Sequence, residues 1–284
     1  MKKEKLLLLM GIFMLFFACQ EQRKELKTNN LIGTDTLRLS EVSEKILSEK
    51  ELINKEEDNL PLFLKRATEI AKNKDKNEKF FEEFEYYGAD TSSIVRVKIE
   101  RNFFFSKDEQ HLKIIRENGN EYQINYFSSK RDKFIPLVSH KEWRMSYVND
   151  TVQDINGDGL KDFVVNWYGN NGCCLKAFSA VFLLKSNMEF TEEFQFINPT
   201  FSPKEHLIRG ICYGHPGNTE MYKYAWKGYS IDTLEYISYE KIEGGEKTGK
   251  VLIEQKNKNI KIQNTVPVEY HNILGYDWFT GEGY

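Results

Sequence analysis

The spacing of apolar positions changes repeatedly along this chain, and each change predicts a different element. Leu6 to Ala18 is one apolar run broken only by Gly11. At about thirteen residues it is too short to span a bilayer core. From Gln20 to about Thr36 the chain is polar, with Glu21, Arg23, Lys24, Glu25, Lys27, Asn29 and Asn30, and reads as a flexible spacer. A helical rhythm follows from Ser40 to about Tyr86. Ser40 is placed as an N-cap before Glu41 and Glu44, with Val42, Ile46 and Ile53 near one face. Pro61 suits the first turn of a second helix, and Phe63, Ala67, Ile70 and Ala71 form an amphipathic stripe. Phe80, Phe81 and Phe84 extend an apolar helical face amid Lys79, Glu82 and Glu83.

From about Ser92 the period falls to two. Val95, Val97 and Ile99 alternate with Arg96, Lys98 and Glu100, the pattern of a half-buried strand. Residues 111–116 and 121–127 flank Asn118-Gly119-Asn120, a hairpin signal whose turn positions both take positive φ. Further strands are predicted over residues 163–168, 178–184, 220–226, 230–236, 251–254 and 259–263, with Lys227-Gly228 turning one hairpin. Short strands between polar turns predict a mainly β fold: an antiparallel sandwich, barrel or propeller-like domain behind a short helical segment. The absence of a clean internal repeat counts against a full propeller. The aromatic share of 14%, with 15 Tyr and 20 Phe, agrees with strands. The expected organisation is a leader over 1–18, a tether over 19–39, a helical segment over 40–88 and a β-rich domain over 89–284.

Charge narrows the partners. The formal net charge is -3; residues 1–18 carry Lys2, Lys3 and Lys5 against Glu4, a net +2, so the remainder stands at -3 - 2 = -5. No clustered basic face supports a nucleic-acid partner.

The three lysines, the apolar run and the ending Leu15-Phe16-Phe17-Ala18-Cys19 together have the architecture of an export signal. The ending resembles the lipobox of bacterial lipoproteins, well at Ala18 and Cys19 and loosely at Phe16 and Phe17. The resemblance implies cleavage before Cys19, acylation of Cys19 with a fatty acid such as palmitate, and a membrane-anchored place in the cell envelope. Gln20-Glu21-Gln22 loosely resembles the sorting signals that send lipoproteins to the outer membrane. With Cys19 acylated, Cys173, Cys174 and Cys212 remain of the 4 Cys. An exported chain permits disulfides, and an odd number cannot all pair internally. The expected bridge joins Cys212 to Cys173 or Cys174, because adjacent strand residues point to opposite faces.

One stretch carries recognisable chemistry: Asp154-Ile155-Asn156-Gly157-Asp158-Gly159-Leu160-Lys161-Asp162. Oxygen-bearing side chains stand at its first, third, fifth and ninth positions, a glycine at its sixth, and Leu160 offers a carbonyl at its seventh. This is the opening of a calcium loop, in which crowded carboxylates are stabilised by a hard cation. Position twelve is Val165 and a strand follows, so a helix-loop-helix sensor is not expected. The loop resembles those of FG-GAP and related repeats in integrin-type propellers, where DxNxDGxxD leads into a β-strand. The resemblance implies Asp154, Asn156, Asp158 and Asp162 as side-chain ligands of Ca2+ and Leu160 as a carbonyl ligand. It departs from that family in having one such loop. A fainter likeness, through this loop and the aromatic strand ending in Phe182-Leu183-Leu184, is to secreted β-proteins related to invertebrate-type lysozyme inhibitors. No inhibitory loop is matched here.

No HExxH, GxSxG, P-loop or GxGxxG occurs. Cys173 or Cys174 with His215 can be written as a nucleophile and base, though vicinal cysteines in an exported chain tend to be oxidised. Tyr213, Tyr222, Tyr224 and Trp226 read as core and sheet-face aromatics, with a sugar-stacking platform as the alternative. Two function classes follow. One is a calcium-stabilised binding module for a protein or glycan; the other is an envelope hydrolase with buried, close carboxylates.

Overall fold

A computed structural model of the chain describes residues 59–75, 78–87, 94–130, 133–170 and 174–284. The leader, Cys19, the tether, the helix expected from Ser40 and Cys173 lie outside the described residues.

Helix α1 (Asn59–Lys72) carries the expected stripe. Leu60, Phe63, Ala67 and Ala71 are buried on one side, with Ile70 packed beside them. Two buried arginines fix its ends. Arg116 donates to the Leu60 carbonyl and to Gln123 Oε1 and Asn125 Oδ1 (2.8 and 2.6 Å). Arg101 donates to the Ala71 and Asp75 carbonyls, both at 2.6 Å, where the helix leaves acceptors unsatisfied and carries partial negative charge.

The helical segment ends there. Residues 80–87, expected as more helix, form strand β1 (Phe80–Tyr87), so the β domain begins before residue 89. The adjacent Phe80-Phe81 and Tyr86-Tyr87 blur the alternation, but the aromatic content favours an extended chain. Phe80, Glu82, Phe84 and Tyr86 turn inward while Phe81, Glu83, Glu85 and Tyr87 are exposed. Across the pairing with β2 (Ile94–Asn102), Glu85 meets Arg96 at 2.7 Å and Glu83 meets Lys98 at 3.4 Å.

Three antiparallel sheets follow in chain order, each a meander. The first continues through β3 (His111–Glu117), β4 (Glu121–Lys130) and β5 (Lys133–Trp143). The second holds β6 (Tyr147–Gln153), β7 (Asp162–Tyr168), β8 (Ala177–Phe182) and β9 (Phe194–Ile197). The third holds β10 (Pro199–Ser202), β11 (Leu207–Ile211), β12 (Met221–Lys227), β13 (Ser230–Lys241), β14 (Lys247–Gln255) and β15 (Ile260–Gln263). A short helix α2 (Tyr276–Thr280) lies near the C-terminus.

Alternation along the strands stacks these sheets face to face. In β3, Ile114 packs under α1 while Ile115 faces the second sheet. In β7, Phe163 and Val165 face the first sheet and Val164 the third. In β12, Tyr222 and Trp226 face the second sheet while Met221 packs with Tyr270, Ile273 and Phe279 of the C-terminal segment. Each such fully buried side chain contributes about 1.5–3 kcal/mol. A polar cluster ties the first two sheets together. Lys113 Nζ meets Asp150 Oδ2 at 2.5 Å and the Tyr147 hydroxyl donates to Asp150 Oδ1 at 2.8 Å, with Tyr122 stacked on Tyr147.

The chain passes between sheets twice, both times at the same end of the strands. Residues 144–146 join β5 to β6, and Asn198 alone joins β9 to β10. Asn198 adopts φ 47°, a conformation asparagine tolerates. Its side chain is fully used: Nδ2 donates to Leu175 O and Ile211 O, and Oδ1 accepts from Ala177 N–H. We call this the crossing end; the Asp/Asn loop, between β6 and β7, lies at the opposite end. The 118–120 turn stands where the sequence placed it, but Asn118 and Gly119 are not among the residues with positive φ. Asn118 Oδ1 instead accepts from the Asn120 and Glu121 N–H groups, an Asx turn that replaces the expected mirror-image turn.

Candidate functional site

Loop 154–162 is organised by its own side chains. Asp154 accepts from the Gly157 N–H at Oδ1 (2.6 Å) and the Gly159 N–H at Oδ2 (2.9 Å). Asn156 Oδ1 accepts from the Asp158 N–H (3.1 Å), and its Nδ2 donates to Asp158 Oδ2 (3.1 Å). Asp158 Oδ1 accepts from the Leu160 N–H (2.8 Å). The winding needs left-handed backbone at two positions, supplied by Gly157 (φ 83°) and Gly159 (φ 87°).

Asp162 is placed differently from the others. Its side chain is wholly buried; Oδ2 accepts from the Ile155 N–H (2.9 Å) and Oδ1 from the Leu184 N–H (2.8 Å). It thereby pins the start of the loop to the chain leaving β8. Burial pushes its carboxyl up to about 6; the two backbone donors oppose this, and the charges of Asp158 and Asp154 add to it. The three carboxylates therefore feel one another. Each loop oxygen with one N–H partner keeps a lone pair, so the donor set of Asp154, Asn156, Asp158 and the Leu160 carbonyl remains suited to a hard cation. Among the described residues, no group of three or more His, Cys, Asp or Glu side chains converges as a metal cluster.

A second support comes from the third sheet and was not legible in the sequence. His206 caps the 3-10 turn Pro203–Glu205 with φ 56°, and its Nδ1–H donates to the Asn156 carbonyl (2.6 Å). A Cβ on Gly157 would overlap the Pro203 carbonyl and stand 2.8 Å from the His206 ring. Ile155 is buried between the second and third sheets. The loop is thus seated on a rigid base, while Asp158 and Gly159 at its tip are exposed.

The remaining candidates fall elsewhere. Cys212 is a free thiol, so the expected bridge between Cys174 and Cys212 is not formed in this structure. Both lie at the crossing end, in segments joined through Asn198. Burial, with Glu220 adding, pushes the Cys212 thiol up to about 11, which makes it a poor nucleophile. Tyr222 and Trp226 are buried and Tyr224 is partly so, all between the second and third sheets. The Tyr222 hydroxyl donates to Ile197 O (2.7 Å). These are core aromatics rather than a sugar platform; Tyr213 alone of that group is exposed. No family model, no curated protein and no solved structure matches the chain.

Proposed function

We propose that this chain is a membrane-anchored envelope lipoprotein whose β domain is a calcium-stabilised binding module for a protein or glycan. The observation that carries the reading is the gathering of Asp154, Asp158 and Asp162 around one tightly wound loop, close enough that the first two raise the third. A Ca2+ ion held by Asp154, Asn156, Asp158 and the Leu160 carbonyl, with Asp162 supporting from below, would relieve that repulsion. Its role would be to stiffen the loop end. Among the described residues, Asp162 is the one carboxyl that burial pushes up, and it belongs to this loop, so the hydrolase reading gains no support.

The test is calorimetric melting in chelator and in calcium. A site of about 0.1 mM affinity at 10 mM calcium stabilises by RT ln(1 + 100), about 2.7 kcal/mol. For a domain of this size the melting temperature should rise by about 5–10 °C. Asp158→Ala should abolish most of that rise, and magnesium should substitute poorly because it demands a smaller octahedral shell. Equal midpoints with and without calcium, and no binding heat, would reduce the loop to a hydrogen-bonded turn.

A further inference from the structure

We propose that the crossing end of the β domain is a lipid-facing surface, seated on the bilayer to which the chain is tethered. This rests on the lipoprotein reading of Cys19. Exposed large apolar side chains gather at that end. Trp143, 51% exposed, closes β5; Met145, 70% exposed, lies in the passage to β6; Val148, 56% exposed, follows within β6. Tyr168 ends β7, and its N–H donates to Ser146 O (2.8 Å), which sets it beside the same passage. Tyr87 ends β1 and Tyr213 follows β11 at that end, both exposed. Trp and Tyr rings, with an apolar body and a polar tip, settle at the headgroup level of a bilayer. Lys141 is paired with Glu121 and Arg144 Nε with Glu117 Oε2 (3.0 Å), while Lys176 lies over the Tyr213 ring. The attraction at Trp143 and Met145 is therefore apolar, and suits an uncharged or zwitterionic surface.

The place where the described chain begins argues for a bilayer as the occupant. Arg116 holds the Leu60 carbonyl at the first turn of α1. Its chain neighbour Glu117 holds Arg144, which adjoins Trp143. The first described turn of the chain thus stands at the crossing end, beside the exposed aromatic rim. The three carboxylates of the Asp/Asn loop stand at the opposite end, away from lipid headgroups. Acyl chains anchor a domain at one point of the chain; an apolar seat at the crossing end would add to the anchor and set the orientation of the domain.

The experiment keeps the tether while removing dependence on native acylation. Residues 19–284 carrying an N-terminal histidine tag are held on phosphatidylcholine vesicles doped with a nickel-chelating lipid, with and without acyl chains brominated near the headgroup. Brominated lipid should quench up to about a quarter of the emission, the share of one ring among the 4 Trp, if Trp143 sits at the interface. Trp143→Phe should abolish that loss. Met145→Ser with Val148→Ser should weaken it at unchanged circular dichroism, and Ile260→Ser with Ile262→Ser, in the edge strand β15, should leave it intact. No quenching, or quenching that survives Trp143→Phe, overturns the proposal; absent quenching with a dimer lost on Met145→Ser would assign the surface to a second copy. Palmitate labelling of the native chain tests Cys19 separately. Failure there with quenching retained removes the anchor and keeps the surface.

Discussion

His111 should make this protein acid-labile through one identifiable proton. The residue opens β3, directly opposite Ser128 of β4, and is wholly buried. Neither ring nitrogen has a hydrogen-bond partner. The Ser128 hydroxyl is committed to Glu109 Oε1 (2.5 Å), and the Phe105 ring meets the imidazole edge-on at 5.2 Å. Burial therefore disfavours the imidazolium and pushes its pKa down to about 4, with Glu109 opposing and Lys130 assisting. In the unfolded chain the ordinary value of about 6.5 returns. Between these values the unfolded chain holds the proton and the folded one does not. Stability is thus fully present above the unfolded value, declines as pH falls, and has lost this contribution below the folded value. At about 1.4 kcal/mol per pH unit the loss is at most about 3 kcal/mol.

The assay is urea unfolding from pH 7.5 to pH 4, comparing the wild type with His111→Leu. Other titrating groups are common to both chains, so the difference between the curves isolates the imidazole. The variant leaves no orphaned partner, because the ring had none. At pH 7 it should be as stable as the wild type or up to about 1 kcal/mol more so, since two unsatisfied nitrogens disappear. Towards pH 4 its advantage should grow to about 3 kcal/mol. Parallel curves would refute the reasoning, because they would mean that His111 acquires its proton without unfolding.

Asp150→Ala should destabilise by up to about 3 kcal/mol in urea unfolding, because it strands the half-buried Lys113 ammonium. Lys113→Met combined with Asp150→Leu should recover most of the loss, and a single-variant effect below about 1 kcal/mol would mean that the pair is solvated. Gly157→Ala and Gly159→Ala separate strain from crowding. Both positions have positive φ, but only a Cβ at Gly157 meets other atoms, so Gly159→Ala should lose about 1 kcal/mol and Gly157→Ala distinctly more. The reverse order would show that the loop is not seated on the Pro203–Glu205 turn.

What the sequence made legible were features whose cause is local. Strand β2 alternates strictly, and its inward Val95, Val97 and Ile99 are buried as the period required. The α1 stripe and the loop spacing are likewise written within a few residues. The misread segment, β1, has the same physics with paired aromatics obscuring the period. Strands β5, β6, β9, β10 and β11 escaped notice; all but β11 are sheet edges. Edge position lets β5 hold Pro136 beside its own bulge at Leu137 and lets β6 carry Asn149 and Asp150 among half-exposed positions. The division into sheets depends on what residues 144–146 and Asn198 do to the chain direction, and nothing in the local pattern marks it. The supports of the loop share that character. His206 is drawn to Asn156 from the third sheet, and Asp162 to Leu184 across the second, so neither partnership has a spacing to read.

The middle sheet limits where function can reside. Its strands β7 and β8 are buried on both faces, Phe163, Val165 and Phe182 against the first sheet and Val164 and Val181 against the third. Such strands read as continuous apolar runs and leave no face for a ligand. The outer faces of the flanking sheets are taken by α1 and by the segment containing α2. Beyond these covered faces, the two ends of the stack differ in chemistry. One end presents carboxylates and amides wound by glycines and held from below by His206 and Asp162; the other presents Trp143, Met145 and tyrosines beside the start of α1. A polar, preorganised end opposite an apolar one is the arrangement that the proposed module, offering its loop away from a membrane, would require.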